Sequence, residues 1–258
     1  MNGVSSPDTD ERFQIRMATS SDDLTRAQRL RYEVFVEELG GNGEKVNHAD
    51  RLECDDFDSY ADHMLLIDTQ NDVLAGVYRM MRPDQAQAAG QYYCDDEYDL
   101  TPLINSGQRL LELGRSCLAP AYRGGTAMYH LWNGLADYVQ THSIEILFGV
   151  ASFHGTDVRA LAGPLSLLHH RHLAPEHLRP AARSAHAVEM NILPEGDIDR
   201  RAAMVAIPAL IKAYLRIGGT VGAGAFVDHA FNTTDVCLVL DTARFNARQA
   251  RIYRGNAS

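Results

Sequence analysis

The chain has 258 residues, of which 45% are hydrophobic and 22% are charged, and its formal net charge is −10. This length and composition predict a globular protein with a sizeable buried core. The acidic balance argues against nucleic acid as a partner, because binding to a phosphate backbone requires a basic surface.

Cysteine usage and hydropathy both indicate a location inside the cell. The four cysteines are far apart, with no CxxC spacing and no secretory signal before them, which is typical of a reduced compartment. No apolar run approaches the roughly 20 residues that a membrane-spanning helix needs. We therefore expect a cytoplasmic protein, and any contact with the inner face of the cytoplasmic membrane would be peripheral.

Residues 1–12 are polar, and we expect a flexible segment there, followed by one domain over residues 13–258. Alternating apolar residues predict strands, and an N-cap cluster at Ser20–Asp23 predicts a helix. The turn residues 70–72 predict an antiparallel hairpin between the strands on either side of them. The elements predicted in this half are a strand over 13–17, a helix over 24–35, strands over 63–68 and 73–82, and a short helix over 100–104.

The second half begins with a strand at 110–118, a helix at 126–140 and a strand at 144–151. This order implies a parallel crossover connection. The whole pattern predicts an α/β fold with a mixed sheet. The later predicted elements are a helix over 157–169, a strand over 187–193, a helix over 199–217, and strands over 222–227 and 236–240.

Two charged residues interrupt the apolar strand at 110–118. Glu112 and Arg115 lie in this strand, and a buried charge is costly unless it is paired. A carboxylate among apolar residues has a raised pKa, which suits a general base that takes a proton from an amine, although Arg115 would lower that pKa. The alternative is that Glu112 forms a structural ion pair with Arg115 or Arg79.

A glycine-rich turn follows this strand directly. Arg123, Gly124 and Gly125 precede Thr126 and a helix, whose free backbone N–H groups and positive dipole end suit a phosphate. Glycine lets the backbone approach such a ligand closely. The strand, turn and helix together predict an enzyme that holds a pyrophosphate or phosphopantetheine arm beside a catalytic carboxylate.

The acidic loop after the first helix contains Glu53, Asp55 and Asp58. These carboxylates either bind a cationic substrate or form a network with Arg31 and Arg79 that holds the loop in place. Both interpretations remain open at this point.

A histidine-rich run at His169–His172 does not predict a metal site, because adjacent residues on a helix do not share a face. We expect no bound metal and no resident cofactor. The apolar helix at 199–217 is interpreted as a core helix or a wall of an acyl pocket, and a lipid-facing role is the alternative.

Four pieces of the chain, taken in order, resemble the acyl-homoserine-lactone synthases, a branch of the GNAT acyltransferases. The chain differs from those synthases by its Arg123–Gly125 turn and by Gly40 and Gly41, which lie where they usually carry a tryptophan. The four pieces are Arg31-x-x-x-Phe35, Glu53-x-Asp55-x-x-Asp58, Arg79, and Glu112-x-x-Arg115.

A closer resemblance, over nearly the whole chain, is to the bacterial ornithine N-acyltransferases. It rests on the segments 167–175, 207–216 and 231–235. The resemblance implies a GNAT-like, mostly antiparallel twisted sheet flanked by helices, with a family-specific C-terminal part at about 155–258. It also implies transfer of a 3-hydroxyacyl chain from acyl carrier protein to the α-amine of ornithine, which gives lyso-ornithine lipid.

The same resemblance assigns roles to the site residues. Glu112 and Arg115 are the expected catalytic residues, and a bulge with a backbone oxyanion site is expected within 113–118. Substrate contacts are expected from Arg31, Phe35, Glu53, Asp55, Asp58 and Arg79. Contacts with the oxyanion or the phosphopantetheine arm are expected from Gly114, Ser116, Cys117, Leu118, Arg123, Gly124, Gly125 and Thr126.

Three alternatives remain open. The acceptor could be glutamine, or it could be the methionine-derived substrate of a lactone-forming signal synthase. A different class of function is a non-catalytic protein that binds acyl carrier protein or lipid. Retention of Glu112, Arg115 and Arg123 argues against this last class.

Overall fold

The computed structural model describes residues 12–183 and 185–244. Apart from Arg12, the segment 1–12 that we expect to be flexible lies outside the described residues. The strands are β1 (Phe13–Met17), β2 (Asp62–Asp68), β3 (Val73–Met81), β4 (Tyr98–Asp99), β5 (Leu110–Leu118), β6 (Ile146–His154), β7 (Ala181–Ala182), β8 (Ala187–Val188), β9 (Thr220–Val221), β10 (Ala225–Asp228) and β11 (Thr233–Asp241). The helices are α1 (Ser21–Arg31), α2 (Pro83–Ala89), α3 (Thr101–Ile104), α4 (Ala127–Thr141), α5 (Ala162–His172), α6 (Arg200–Ala206) and α7 (Ala209–Arg216).

The main sheet has the order β1-β2-β3-β5-β6-β11-β10-β8, and β9 also pairs with β11. The β5–β6 pair is parallel, whereas the other pairs in this sheet are antiparallel. The predicted hairpin is β2–β3, and the predicted crossover runs from β5 through α4 to β6. The predicted α/β fold with a mixed, mostly antiparallel sheet is therefore confirmed.

Helices cover both faces of the sheet, and strand alternation explains how. In β2, Met64 and Leu66 belong to the core that includes Leu131 and Leu135 of α4. Leu65 and Ile67, with the opposite parity, pack in the core that includes Leu30 of α1. A strand buried on both faces is read as a continuous apolar run, which is the pattern that β2 has.

The strands β5 and β6 pair over only three residues, Leu110–Glu112 with Ile146–Phe148, and then separate. Gly149 lies at the point of separation. A Cβ atom at this position would be 2.0 Å from the carbonyl oxygen of Leu113, so only glycine fits there. The separated strands leave a cleft between them.

A bulge lies on the other side of β5. Val77 pairs with Cys117 and Arg79 with Gly114, so two residues of β5 oppose Tyr78 alone. The predicted bulge within 113–118 is confirmed. The positive φ of 51° belongs to Arg115, and not to Gly114, where the sequence indicated the irregularity.

The predicted helix at 199–217 is wrong as a single element. It is divided into α6 and α7, because Pro208 has no N–H to donate and restricts the residue before it. The predicted strand at 187–193 is reduced to β8, and the helix predicted from residue 157 begins at Ala162. Within the described residues, no helix is long and apolar enough to cross a membrane.

Helix α2 was not predicted from the sequence, although residues typical of helix ends lie at both of its boundaries. Pro83 is at its first position, where a missing N–H costs nothing. Gly90 ends the helix with a left-handed φ of 97°.

We predict that Gly149→Ala lowers the free energy of unfolding by about 1–3 kcal/mol, because the added Cβ forces β5 and β6 apart. Urea denaturation measures this change. Gly196→Ala is the control, since a Cβ there meets nothing within 4 Å. Equal stability of the two variants would contradict the close approach.

Candidate active site

A cleft of about 230 Å³ opens where β5 and β6 separate. The bulge of β5, the end of β6 and the beginning of β11 form its walls. Its lining includes Phe35, Gly114, Arg115, Ser116, Ser152 and Asp235. A smaller apolar cavity of about 20 Å³ adjoins it, shares Tyr78, Leu113 and Leu210 with it, and reaches Tyr214 of α7.

A ring of six charged side chains lies beside this cleft, and we call it the charge ring. Arg31 donates to Glu53 at 2.5 Å and to Asp58 at 2.7 Å. Arg115 donates to Glu53 and to Asp55, both at 3.1 Å. Arg79 donates to Asp55 at 2.5 Å and to Asp58 at 2.9 Å. The ring therefore closes through Arg31, Glu53, Arg115, Asp55, Arg79 and Asp58.

The charge ring pairs three arginines with three carboxylates, so its formal charges cancel. Most of it is inaccessible to solvent, with Arg31 and Glu53 each 1% exposed. Burial raises the pKa of Asp58, but the guanidinium groups of Arg31 and Arg79 outweigh burial and hold that pKa well below its usual range. The arginines likewise lower the pKa of Asp55 against the effect of burial, and the ion pairs of the ring hold the acidic loop against α1, β3 and β5.

This geometry bears on the two interpretations of the acidic loop. Glu53, Asp55 and Asp58 all form salt bridges with arginines, as expected if they belong to a network that holds the loop in place. Contact of these carboxylates with a substrate stays a prediction.

Arg115 is held by aromatic rings as well as by carboxylates. Its guanidinium carbon lies 4.5 Å from the ring centroid of Tyr93 and 5.4 Å from that of Phe231. Such cation–π contacts are most favourable where the cation is desolvated. Tyr93 and Phe231, which the sequence analysis did not select, thus hold the residue that has the unusual backbone conformation at the bulge.

Glu112 has different partners from those expected. Its carboxylate accepts the backbone N–H of Tyr93 at 3.0 Å and that of Cys94 at 2.7 Å. Burial raises its pKa, and the hydrogen bonds from Cys94 and Tyr93 work against that effect. Among the described residues, Glu112 forms no salt bridge with Arg79 or Arg115, so the ion-pair alternative is not what the structure contains.

The glycine turn leaves space beside the start of α4, and a phosphate contact there stays a prediction. Gly124 has a φ of 75°, and neither Gly124 nor Gly125 has a neighbour within 4 Å of where a Cβ would be. Thr126 makes no side-chain hydrogen bond to the start of α4, so that N-terminus is open to a ligand. Arg123, in contrast, donates to both carboxylate oxygens of Glu38, at 2.6 and 2.7 Å.

The expected residues of β5 divide between the cleft and the core. Gly114, Arg115 and Ser116 line the cleft. Cys117 and Leu118 are buried in the hydrophobic cores, and burial raises the pKa of the Cys117 thiol to about 12, so only their backbone groups can serve a ligand.

Two buried carboxyl groups near the cleft were not assigned a role from the sequence. Asp235 and Glu97 are each 4% exposed, and Asp235 lines the cleft. A weak signal was available, since Asp235 directly precedes the apolar run of β11. His169–His172 lie at the end of α5, and no cluster of metal-ligating side chains occurs in the described part of the chain.

Comparison with known proteins adds family information to this geometry. The acetyltransferase (GNAT) domain family matches residues 30–133. An L-ornithine N(alpha)-acyltransferase of Rhodobacter capsulatus is 56% identical over 93% of this chain and 94% of its own length. A protein of the same name from Brucella abortus is 38% identical over 95% of this chain and 90% of its own.

Solved structures show the same fold at low identity. An N-acyl amino acid synthase from uncultured soil microbes is 12% identical, with a TM-score of 0.57 over 93% of this chain and 97% of that one. A CoA-dependent acyl-homoserine lactone synthase is 13% identical, with a TM-score of 0.53 over 93% of this chain and 87% of that one. The GNAT-like fold predicted from the sequence is thereby confirmed.

We predict that Arg31→Met lowers the free energy of unfolding by about 3–5 kcal/mol, because Glu53 and Asp58 would each lose a buried partner. Arg26→Met is the control on the same helix. Arg26 pairs at 3.5 Å with Asp72, which is 87% exposed, so its loss costs less than about 1 kcal/mol. Equal losses in denaturant titrations would show that the charge ring does not stabilise the fold.

Proposed function

Because the chain belongs to the L-ornithine N(alpha)-acyltransferase family, we propose that it transfers an acyl group from a thioester to the α-amine of ornithine and forms an amide. The observation that carries the proposal is the cleft between the separated strands β5 and β6. It places charged and hydroxyl side chains beside a largely apolar lining that continues into a small apolar cavity, as suits a reaction between an amino acid and a fatty acyl thioester. The product in this proposal is lyso-ornithine lipid.

The acyl donor in this proposal is a 3-hydroxyacyl chain on acyl carrier protein. The open N-terminus of α4 and the left-handed Gly124 favour a phosphate at this turn, and the phosphopantetheine arm carries one. Arg123 would reach that phosphate only by sharing or releasing Glu38. Acyl carrier protein is proposed here as a co-substrate, and the proposal includes no resident cofactor.

The acceptor is proposed to be ornithine because the cleft has more carboxyl groups than an amino acid with an uncharged side chain would need. Ornithine carries one carboxylate and two ammonium groups. Arg115, Asp228 and Asp235 line the same cleft and offer one cation and two carboxyls. Glutamine has no second ammonium for which Asp228 would be a partner. The side-chain ammonium is proposed to bind at Asp228.

The bulge of β5 is proposed to stabilise the tetrahedral intermediate. A bulge leaves backbone groups outside the regular ladder, and N–H groups so placed can donate to an oxyanion. Glu112 is proposed to orient the site, since it holds the turn that places Tyr93 against Arg115. Its assignment as the general base remains a prediction.

The acyl chain is proposed to enter the apolar cavity beside α7. Leu210 lines both the cleft and this cavity, and Tyr214 lies farther along it, hydrogen-bonded to Tyr78 at 2.7 Å. The product is an amphiphile, so we also propose that it leaves at a membrane surface near α6, where Val205 is 72% exposed.

Mass spectrometry of the products tests the proposed function. Purified protein would receive 3-hydroxyacyl carrier protein and equimolar ornithine, glutamine, lysine and S-adenosylmethionine. We expect N-acyl ornithine as the main product. N-acyl glutamine would change the acceptor, a lactone would indicate a signal synthase, and carrier binding without any product would indicate the non-catalytic class. The corresponding coenzyme A thioester, in a parallel reaction, tests whether the donor is the carrier protein.

A variant in α7 and a variant in α6 serve as controls for each other. We predict that Leu210→Trp narrows the acyl path and lowers kcat/KM for the longest chains by about tenfold, since each buried methylene contributes about 0.8 kcal/mol. Chain-length profiles measure this. Val205→Asp is expected to leave that profile unchanged and to reduce co-sedimentation with anionic lipid vesicles. A profile that Leu210→Trp does not alter would place the acyl chain elsewhere.

A further inference from the structure

Asp235 differs from Glu53, Asp55 and Asp58 because it forms no salt bridge within the described part of the chain. It lies on β11 opposite Ser152 of β6, on the side of the cleft that faces the separated end of β5. Its Oδ1 atom is buried and has no hydrogen-bond partner within residues 12–183 and 185–244. An ionisable oxygen left without a partner at a cleft is costly for folding, which favours a functional role.

The surroundings of Asp235 suit proton transfer. The pKa of Asp235 is raised to about 6, chiefly by burial and also by the negative charge of Asp228. Hydrogen bonds from Ser152 and Thr233 and the charge of Arg115 work against this rise. Glu97 lies close enough for the charge of Asp235 to raise the pKa of Glu97, which burial has already raised. Repulsion between these two buried carboxyl groups favours a state in which one of them holds a proton.

Glu112 is less suited to the same task. Both of its oxygens accept backbone N–H groups from the 93–94 turn, and it lines an adjoining cavity of only about 10 Å³ instead of the cleft itself. A general base must come within hydrogen-bond reach of the proton that it removes. Asp235 lines the larger chamber, together with Gly114 and Ser116 of the bulge.

We propose that Asp235 is the proton acceptor for the α-ammonium of the amino acid. This role rests on the proposed function. The carboxylate takes one proton from the ammonium, and the free amine attacks the thioester carbonyl carbon. As the tetrahedral intermediate collapses, the C–N bond is kept and the C–S bond breaks. The second proton of the nitrogen goes to the departing sulfur, which leaves as a thiol, and Asp235 then returns its proton to solvent.

The test is Asp235→Asn in the full chain, assayed with 3-hydroxyacyl carrier protein and ornithine. We expect a loss of about 10²–10⁴-fold in kcat, the range typical of a missing general base. In the wild type, kcat/KM is expected to fall as the pH is lowered through about 6, where Asp235 becomes protonated. Thermal unfolding at pH 8 should show no loss of stability, because Asn removes a buried, unpaired charge.

Asp241→Asn is the matched control, since it makes the same change on the same strand. Asp241 accepts the N–H of Ala243, which an asparagine oxygen at this position can also accept, and it lies outside the cleft lining. We expect wild-type kinetics from this variant. An Asp235→Asn enzyme within about threefold of the wild type would overturn the role of Asp235.

Asp228→Asn is expected to change the pH dependence of kcat/KM, which a structural defect would not do. The Asp228 carboxylate accepts the N–H groups of Ala230 and Phe231, and an asparagine oxygen can do the same. Removing its charge lowers the pKa of Asp235, so the acid limb of the kcat/KM profile should move to lower pH, whereas the lost contact with the ornithine ammonium lowers kcat/KM at every pH. If the acid limb of the pH profile is in the same place in Asp228→Asn as in the wild type, the proposal is overturned, even if Asp235→Asn fails to fold. A wild-type protein without any N-acyl product would instead overturn the proposed function, and this role with it.

Discussion

The charge ring is the interaction on which the rest of this structure depends. It joins one residue of α1, three of the acidic loop, one of β3 and one of β5, and it closes on itself. Buried charges of this kind are tolerated only when every one of them is paired. Because every member of the ring has two partners, the loss of one member removes one buried partner from each of two others. The ring therefore fixes the position of Arg115, which stays in a left-handed conformation at the bulge although it is not glycine.

The bulge and the separation of the strands follow as consequences in β5. On one side, β5 pairs with β3 and contains the extra residue of the bulge. On the other side, its pairing with β6 ends at Glu112. Gly149 permits the last close contact before the strands separate. A sheet with a regular ladder would have neither a cleft nor backbone groups directed into it. The local departures from ideal β-structure are thus the features that create a chamber for the proposed reaction.

The carboxyl groups near the cleft divide into two classes according to their partners. Glu53, Asp55 and Asp58 are paired with arginines, and both oxygens of Glu112 accept backbone N–H groups. Asp235 has a raised pKa and an oxygen without a partner among the described residues. Satisfied groups stabilise a fold, whereas an unsatisfied group costs stability and is retained where chemistry uses it. Charged residues that look alike in the sequence can therefore have opposite functions.

The sequence by itself determined the order of the elements, the β2–β3 hairpin, the β5–α4–β6 crossover and the family, because periodicity, turn residues and motif spacing are local signals. It also located the bulge to within a few residues. Only the tertiary structure decided which carboxylate pairs with which arginine, since Arg31, Glu53 and Arg115 are distant in the chain and meet only after the sheet has formed. It placed the left-handed residue at Arg115, gave Glu112 its backbone partners and left Asp235 open to the cleft. Each of these outcomes depends on which neighbours satisfy a charge, and that is set by contacts between residues far apart in the sequence.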